Sequence, residues 1–207
     1  AFICLRRKNF IKNITLQNIG IYWQRLHHEY QRVGERKQTI PEAVELLVLL
    51  ESGEVYDGLG NKLRTQEINS IKDDWLKPGK FRGRYLDAKF EEKDGLLYFQ
   101  AGTLYIHSLH KEKDVNFGQK LVPQKTQKLE KCLMKNRSID LNSWIKNPTK
   151  SGLPKLNCKE GNLSYYYPKN NSIARFYTGT GGAMLICSKI PDYTNRALSS
   201  NPVREQF

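Results

Sequence analysis

Few side chains in this sequence stand where bond-making chemistry would need them. The four histidines lie at 27, 28, 107 and 110. His27 and His28 are neighbours, so on a helix they point about 100° apart and do not share a metal easily. The four cysteines, at 4, 132, 158 and 187, contain no C-x-x-C pair, which argues against zinc. Carboxylates pair at Asp73–Asp74 and Glu91–Glu92, with Asp87 nearby. The first pair reads as a solvated helix face and the second as a hairpin shoulder, not as a general acid and base. Gly179-Thr-Gly-Gly182 is glycine-rich, yet neither the Lys-Ser/Thr of a P-loop nor a helical pattern follows it, so it reads as a turn between strands. H-E-x-x-H and G-x-S-x-G are absent. These residues predict no catalytic group, no metal site, no cofactor and no enzyme. What remains is recognition. Tyr165, Tyr166, Tyr167, Tyr177 and Tyr193 cluster near the C-terminus. Tyrosine supplies large amphipathic contact area at low entropic cost.

The 207 residues, 39% hydrophobic and 11% aromatic, suffice for a packed core. Net charge is +13 and uneven: +6 over 1–40, −3 over 41–119, +9 over 120–175 and +1 over 176–207. The two basic segments favour an anionic partner, so nucleic-acid binding through 1–40 and 120–175 is one reading. No apolar run reaches membrane-spanning length; Ala43 to Leu50 is far too short. No export signal is legible, because Arg6, Arg7 and Lys8 follow the apolar Ala1–Leu5 instead of preceding it. Cysteine usage favours a reducing compartment, with Cys132–Cys158 and Cys158–Cys187 pairings left open.

The elements that would position the tyrosines follow from periodicity. Ile19, Trp23, Leu26, Tyr30 and Val33 predict a helix over 14–33. Thr39 and Glu42 form a capping box before a second helix that ends at Gly53. A short strand covers Glu54–Tyr56, and Thr65 caps a third helix carrying Ile68, Ile71 and Trp75. From Phe81 the period becomes two. Asp94-Gly95 joins strands ending at Phe90 and beginning at Leu96, with further strands at Thr103–Leu109 and Lys120–Val122. A helical turn is expected at Ile139–Ile145. Strands Leu163–Tyr167 and Ile173–Phe176 flank a hairpin connection at Pro168–Asn171. In the next strand Ala183, Leu185 and Cys187 alternate with Met184, Ile186 and Ser188, giving one small apolar face.

From Ala174 the chain reads A-x-F-(x)6-A-x-L-x-C-x-x-x-P-(x)6-L. This pattern resembles the variable region of proteins diversified by retroelements, in particular their archaeal and archaeal-virus members. Ser151-Gly-Leu-Pro154 and Tyr165-Tyr-Tyr-Pro168 resemble the approach to that region. The resemblance implies an α+β chain: a C-type-lectin-like domain of short antiparallel strands and two to three helices over 41–207, with its variable region at 173–198, and a basic helical arm over 1–40. It implies that Ala174, Phe176, Ala183, Leu185, Cys187, Pro191 and Leu198 are scaffold. The ligand-binding display would be Tyr177, Gly179, Gly181, Gly182, Met184, Ile186, Ser188, Lys189, Ile190, Tyr193, Thr194, Asn195 and Arg196. A non-enzymatic, hypervariable binder of a protein or cell-surface ligand follows, on a virion or cell surface, or otherwise cytoplasmic. Two features depart from related patterns. The E-P-N and W-N-D sequences of calcium-dependent sugar binders are absent. The family's closing G-V-R-like strand is replaced by Leu198–Phe207, where Val203-Arg204 would take its part and Pro202 disfavours a central strand.

Overall fold

A computed structural model describes residues 2–4, 9–12, 23–57, 59–107, 119–191, 198–199 and 202–205. The N-terminal third contains β1 (Phe2–Cys4), β2 (Asn9–Lys12), α1 (Trp23–Gln31), β3 (Arg36–Lys37), α2 (Ile40–Ser52) and α3 (Thr65–Leu76). A long hairpin follows, β4 (Gly83–Lys93) and β5 (Leu96–His107), then β6 (Gln119–Lys128), β7 (Arg137–Ile139) and α4 (Leu141–Lys146). The chain ends with β8 (Leu163–Tyr166), β9 (Ser172–Gly179), β10 (Gly182–Lys189), β11 (Leu198–Ser199) and β12 (Pro202–Glu205). The class is α+β. No helix among the described residues is long and apolar enough to cross a membrane.

Local chemistry accounts for most boundaries. The Glu42 carboxylate accepts from Thr39 N at 2.9 Å while Thr39 Oγ1 accepts from Glu42 N, closing the predicted capping box. Gly53 ends α2 in the left-handed conformation, φ 71°. Asp94 (φ 53°) and Gly95 (φ 71°) make the tight turn of the β4–β5 hairpin. Other expectations are corrected. Among the described residues α1 covers only Trp23–Gln31, and Val33 lies exposed beyond it because Gly34 turns the chain at φ 68°. Ile19 and the start of that predicted helix lie outside the described residues. Arg64, not Thr65, is the N-cap of α3, since the Glu67 carboxylate reaches back to Arg64 N at 3.0 Å. The expected strand at 54–56 reduces to one bridge, Tyr56 to Lys62. The strand predicted from Thr103 is the continuation of β5, redirected at Gly102 (φ 67°); Ser108 and Leu109 lie outside the described residues. The predicted strands are also not all short, since β4 and β5 run 11 and 12 residues.

Seven strands lie in the order β6-β5-β4-β9-β10-β8-β7, and β11 pairs with the start of β4. The sheet is antiparallel except at β10–β8 and β11–β4. Pro168–Asn171 therefore does not join a hairpin. β10 enters between β8 and β9, because β10 offers each neighbour an edge and leaves neither Tyr165 nor Phe176 exposed.

Helices α2, α3 and α4 cover the inner face, where Leu46, Leu47, Trp75, Trp144, Phe176 and Leu185 share one core. Phe176 is fully buried, 5.2 Å from Trp75 and stacked on Trp144 at 6.4 Å. Gly152, at φ 80°, lets its loop touch the start of α2; a Cβ there would lie 2.7 Å from Ile40 Cγ2 and Pro41 N. Cys132, Cys158 and Cys187 are buried free thiols, so neither open pairing forms. Burial pushes Cys132 up to about 11 and Cys187 further above its ordinary range.

A second sheet, β1-β2-β12-β3, joins both ends of the chain. β12 is central in it, pairing β2 on one side and β3 on the other. Pro202 is accommodated as the first residue of the strand, where it meets only Lys37.

Two substitutions test this packing by denaturant unfolding. Phe176→Ala should lower the unfolding free energy by about 3–5 kcal/mol through the cavity it leaves between two tryptophans. Thr39→Ala should cost about 1 kcal/mol through the lost cap.

Candidate functional site

The outer face of β8, β9 and β10 carries the residues that the alternation sends away from the core. Ala174, Phe176, Ala183, Leu185 and Cys187 all enter the inner core, and Pro191 is buried. Leu198 lies in β11, opposite Gly83 of β4. Between them, Tyr177 and Met184 form a cross-strand pair. Both side chains lean over Gly179, where a Cβ would stand 3.1 Å from Tyr177 Cε1 and 3.2 Å from Met184 Cε. On the other side Tyr177 faces Gly83, which has no side chain to crowd the ring. Ser188 lies further along β10, half-buried, where the pairing with β9 shifts register between Ile186 and Lys189.

The predicted display is not uniformly open. Tyr177, Met184, Ser188 and Lys189 are half-buried, and Gly181 and Ile190 are exposed. Ile186 is 5% exposed. Gly179 and Gly182 are buried, and Gly182 holds φ 101°, a conformation that side chains rarely adopt. Tyr193, Thr194, Asn195 and Arg196 lie outside the described residues.

The sequence pattern passes over two more residues on this side of the sheet, buried Arg175 and exposed Tyr166. Arg175 pairs with Ile186 across β9–β10, and its guanidinium lies 5.3 Å from the Tyr177 ring centroid. Tyr166 of β8 pairs with the same Ile186 and is exposed. Period two alone places Arg175 beside Tyr177. Tyr166 required knowledge that β8 lies next to β10.

The hairpin tip is clamped. Thr178 N donates to Arg82 O at 2.7 Å, Arg82 N donates to Thr178 Oγ1 at 3.2 Å, and Gly79 N donates to Gly179 O at 2.9 Å. The 79–82 loop therefore fixes the end of β9.

The other half of the outer face is closed by α1. Trp23, Leu26 and Tyr30 pack on Tyr85 and Ile173. A buried polar group locks the helix there. Trp23 Nε1 donates to Leu86 O at 2.8 Å, and Lys37 Nζ donates to Trp23 O at 2.8 Å while lying 3.8 Å over its ring. Asp87 accepts from Thr103 N at 3.0 Å and Thr103 Oγ1 at 2.8 Å, and His27 Nε2 stands 3.7 Å from it. Four steps along β4, from Tyr85 to Lys89, oppose two along β9, and this bulge frees Asp87 N to donate to Gln38 O at 2.8 Å. Burial pushes Asp87 up and Lys37 down, each partly offset by the other. Burial, and then the Lys37 charge, hold His27 well below its ordinary value of 6.5. The group is sealed, so its chemistry is to hold α1. Among the described residues no three His, Cys, Asp or Glu side chains gather as a metal-ligand set.

No family model matches the chain, and no curated protein or solved structure matches it either.

His27 gives a pH dependence with a definite sign. The unfolded chain takes up this proton near pH 6.5 and the folded chain resists it, so the stability is fully present above pH 6.5 and is lost as pH falls through the lowered native value. The slope on the acid side is at most about 1.4 kcal/mol per pH unit. His27→Gln should flatten the stability profile below pH 6.5, measured by urea unfolding across a pH series.

Proposed function

We propose that this chain is a non-enzymatic ligand-binding protein that presents a diversified surface on a C-type-lectin-like scaffold, varied by a retroelement. One observation carries the reading. The five described scaffold residues of β9 and β10 share a single core, while Tyr177 and Met184, paired across the two strands, lie outside that core, half-buried. Outward positions of this kind change without disturbing the fold, because their neighbours make the packing. The accessible part of this surface is an aromatic ring and a thioether, both half-buried, with exposed Tyr166 on the neighbouring strand, a composition suited to a protein ligand. The finer assignment, to the C-type-lectin fold, rests on the A-x-F to P-(x)6-L pattern together with the α+β architecture.

A second reading, nucleic-acid binding, is favoured by the exposure of Lys125, Lys128, Lys131, Lys135, Lys159 and Lys169. It predicts a mobility shift with DNA or RNA that weakens steeply with salt. Absence of any shift at low salt removes it.

The primary reading is tested in the surrounding genome and its population. A near-copy of the 173–198 coding stretch should lie beside a reverse transcriptase, with adenines at the codons of the outward residues. Sequence variants should differ at codons such as 177, 184 and 188–190 and agree at 174, 176, 183, 185 and 187. Variation spread evenly over both sets would overturn the proposal. Met184→Ala should shift the melting temperature little, since this half-buried side chain belongs to neither core cluster.

A further inference from the structure

Helix α1 is held on the outer face apart from the inner core. Trp23, Leu26 and Tyr30 form an apolar cluster with Tyr85 and Ile173, and it shares no residue with the cluster beneath α2, α3 and α4. The sheet lies between the two. Losing the outer cluster therefore leaves the inner one packed, and such separable units open with free energies of their own. Gly34, at φ 68°, turns the chain from α1 into β3, whose Lys37 grips the helix by donating to Trp23 O at 2.8 Å.

His27 faces the sheet from this helix. It is 3% exposed, its ring centroid 4.4 Å from that of Trp23. His27 Nε2 has no hydrogen-bond partner among the described residues, and Asp87 Oδ1, at 3.7 Å, is beyond bonding reach. The charged groups nearest it are Lys37 of β3 and Asp87 of β4. Arg36 of β3 is turned to Glu42, donating at 2.6 and 2.9 Å. On α1 itself half-buried His28 and Glu29 stand 3.7 Å apart, and Glu35 is buried in the turn beyond the helix. From β5 comes the neutral Thr103, engaged with Asp87, and from β9 the apolar Ile173. Lys37 and Asp87 already offset each other. A proton on Nε2 thus leaves one positive charge without a counterion of its own in a site closed to water. Burial and then the Lys37 charge work against that proton. Outside the site nothing opposes it.

We propose that α1 is an acid-released cover: when His27 takes a proton, the helix leaves the sheet and bares Tyr85 and Ile173 beside Tyr177, while the inner core stays folded. Release does not depend on the outer face being diversified; if that face binds ligands, acidification widens it.

Hydrogen exchange of the whole chain, read by mass spectrometry between about pH 8 and about pH 5, tests this. Opening constants follow once the intrinsic pH dependence of amide exchange is divided out. His27→Gln keeps a polar side chain that takes up no proton. Asp87 and Lys37 titrate in both chains, so the ratio of α1 opening between wild type and variant reads His27. That ratio should be level above pH 6.5 and rise by up to about tenfold per pH unit below it, the value for one proton. The inner helix α2 should not follow. If His27→Gln melts early, His27→Asn replaces it, and the contrast between α1 and α2 in the wild type stands without either. A level ratio throughout, or an acid-side rise in α2 parallel to that in α1, overturns the proposal.

Discussion

β9 is hydrogen-bonded along both edges, covered on its inner face and, at its Ile173 end, on its outer face, and the rest of the structure depends on that enclosure. β4 and β10 take its edges. Inward, Phe176 meets Trp75 and Trp144; outward, Ile173 lies beneath α1. A one-residue slip would exchange the two faces and drive Arg175 into the aromatic core. The register of β9 is thus fixed by packing, and β10 inherits it through the Tyr177–Met184 and Phe176–Leu185 pairs.

The two faces of the sheet are stabilised by different physics. The inner face relies on apolar contact, where shape and volume decide. Half of the outer face relies on buried polar groups: Lys37, Asp87 and a neutral His27 are removed from water and held by Trp23, Thr103 and each other. Buried ionic groups add little net stability over an apolar replacement, but they penalise any arrangement that leaves one unpaired. That penalty fixes where α1 sits. The helix packs on Tyr85 and Ile173, with Tyr177 half-buried against the edge of that cluster and Met184 outside it.

Charge shapes the molecule on a larger scale. The acidic α2–α3 region and the basic stretch that follows β6 keep opposite signs on one chain while the total stays strongly positive. A uniformly basic molecule would repel its copies everywhere.

The sequence by itself determined the elements whose causes are local. The Thr39–Glu42 cap, the Gly53 stop and the Asp94-Gly95 turn each lie within a few residues of their partners. It also determined the shared facing of Ala183, Leu185 and Cys187, because period two needs only a strand. Only the tertiary structure decided which strands are neighbours. The entry of β10 between β8 and β9 joins Tyr166 to Ile186, and no local signal encodes a pairing between strands that are not consecutive. The same holds for Asp87, which reads as one more acidic residue in a strand until the bulge in β4 turns it toward Gln38 and Thr103. The central place of β12 was hidden for the same reason: Pro202 argued against it locally, whereas pairing with two strands from the start of the chain, β2 and β3, leaves the proline at the strand's first position. Short-range chemistry is written in adjacent letters, and long-range pairing is settled by which surfaces can be buried together.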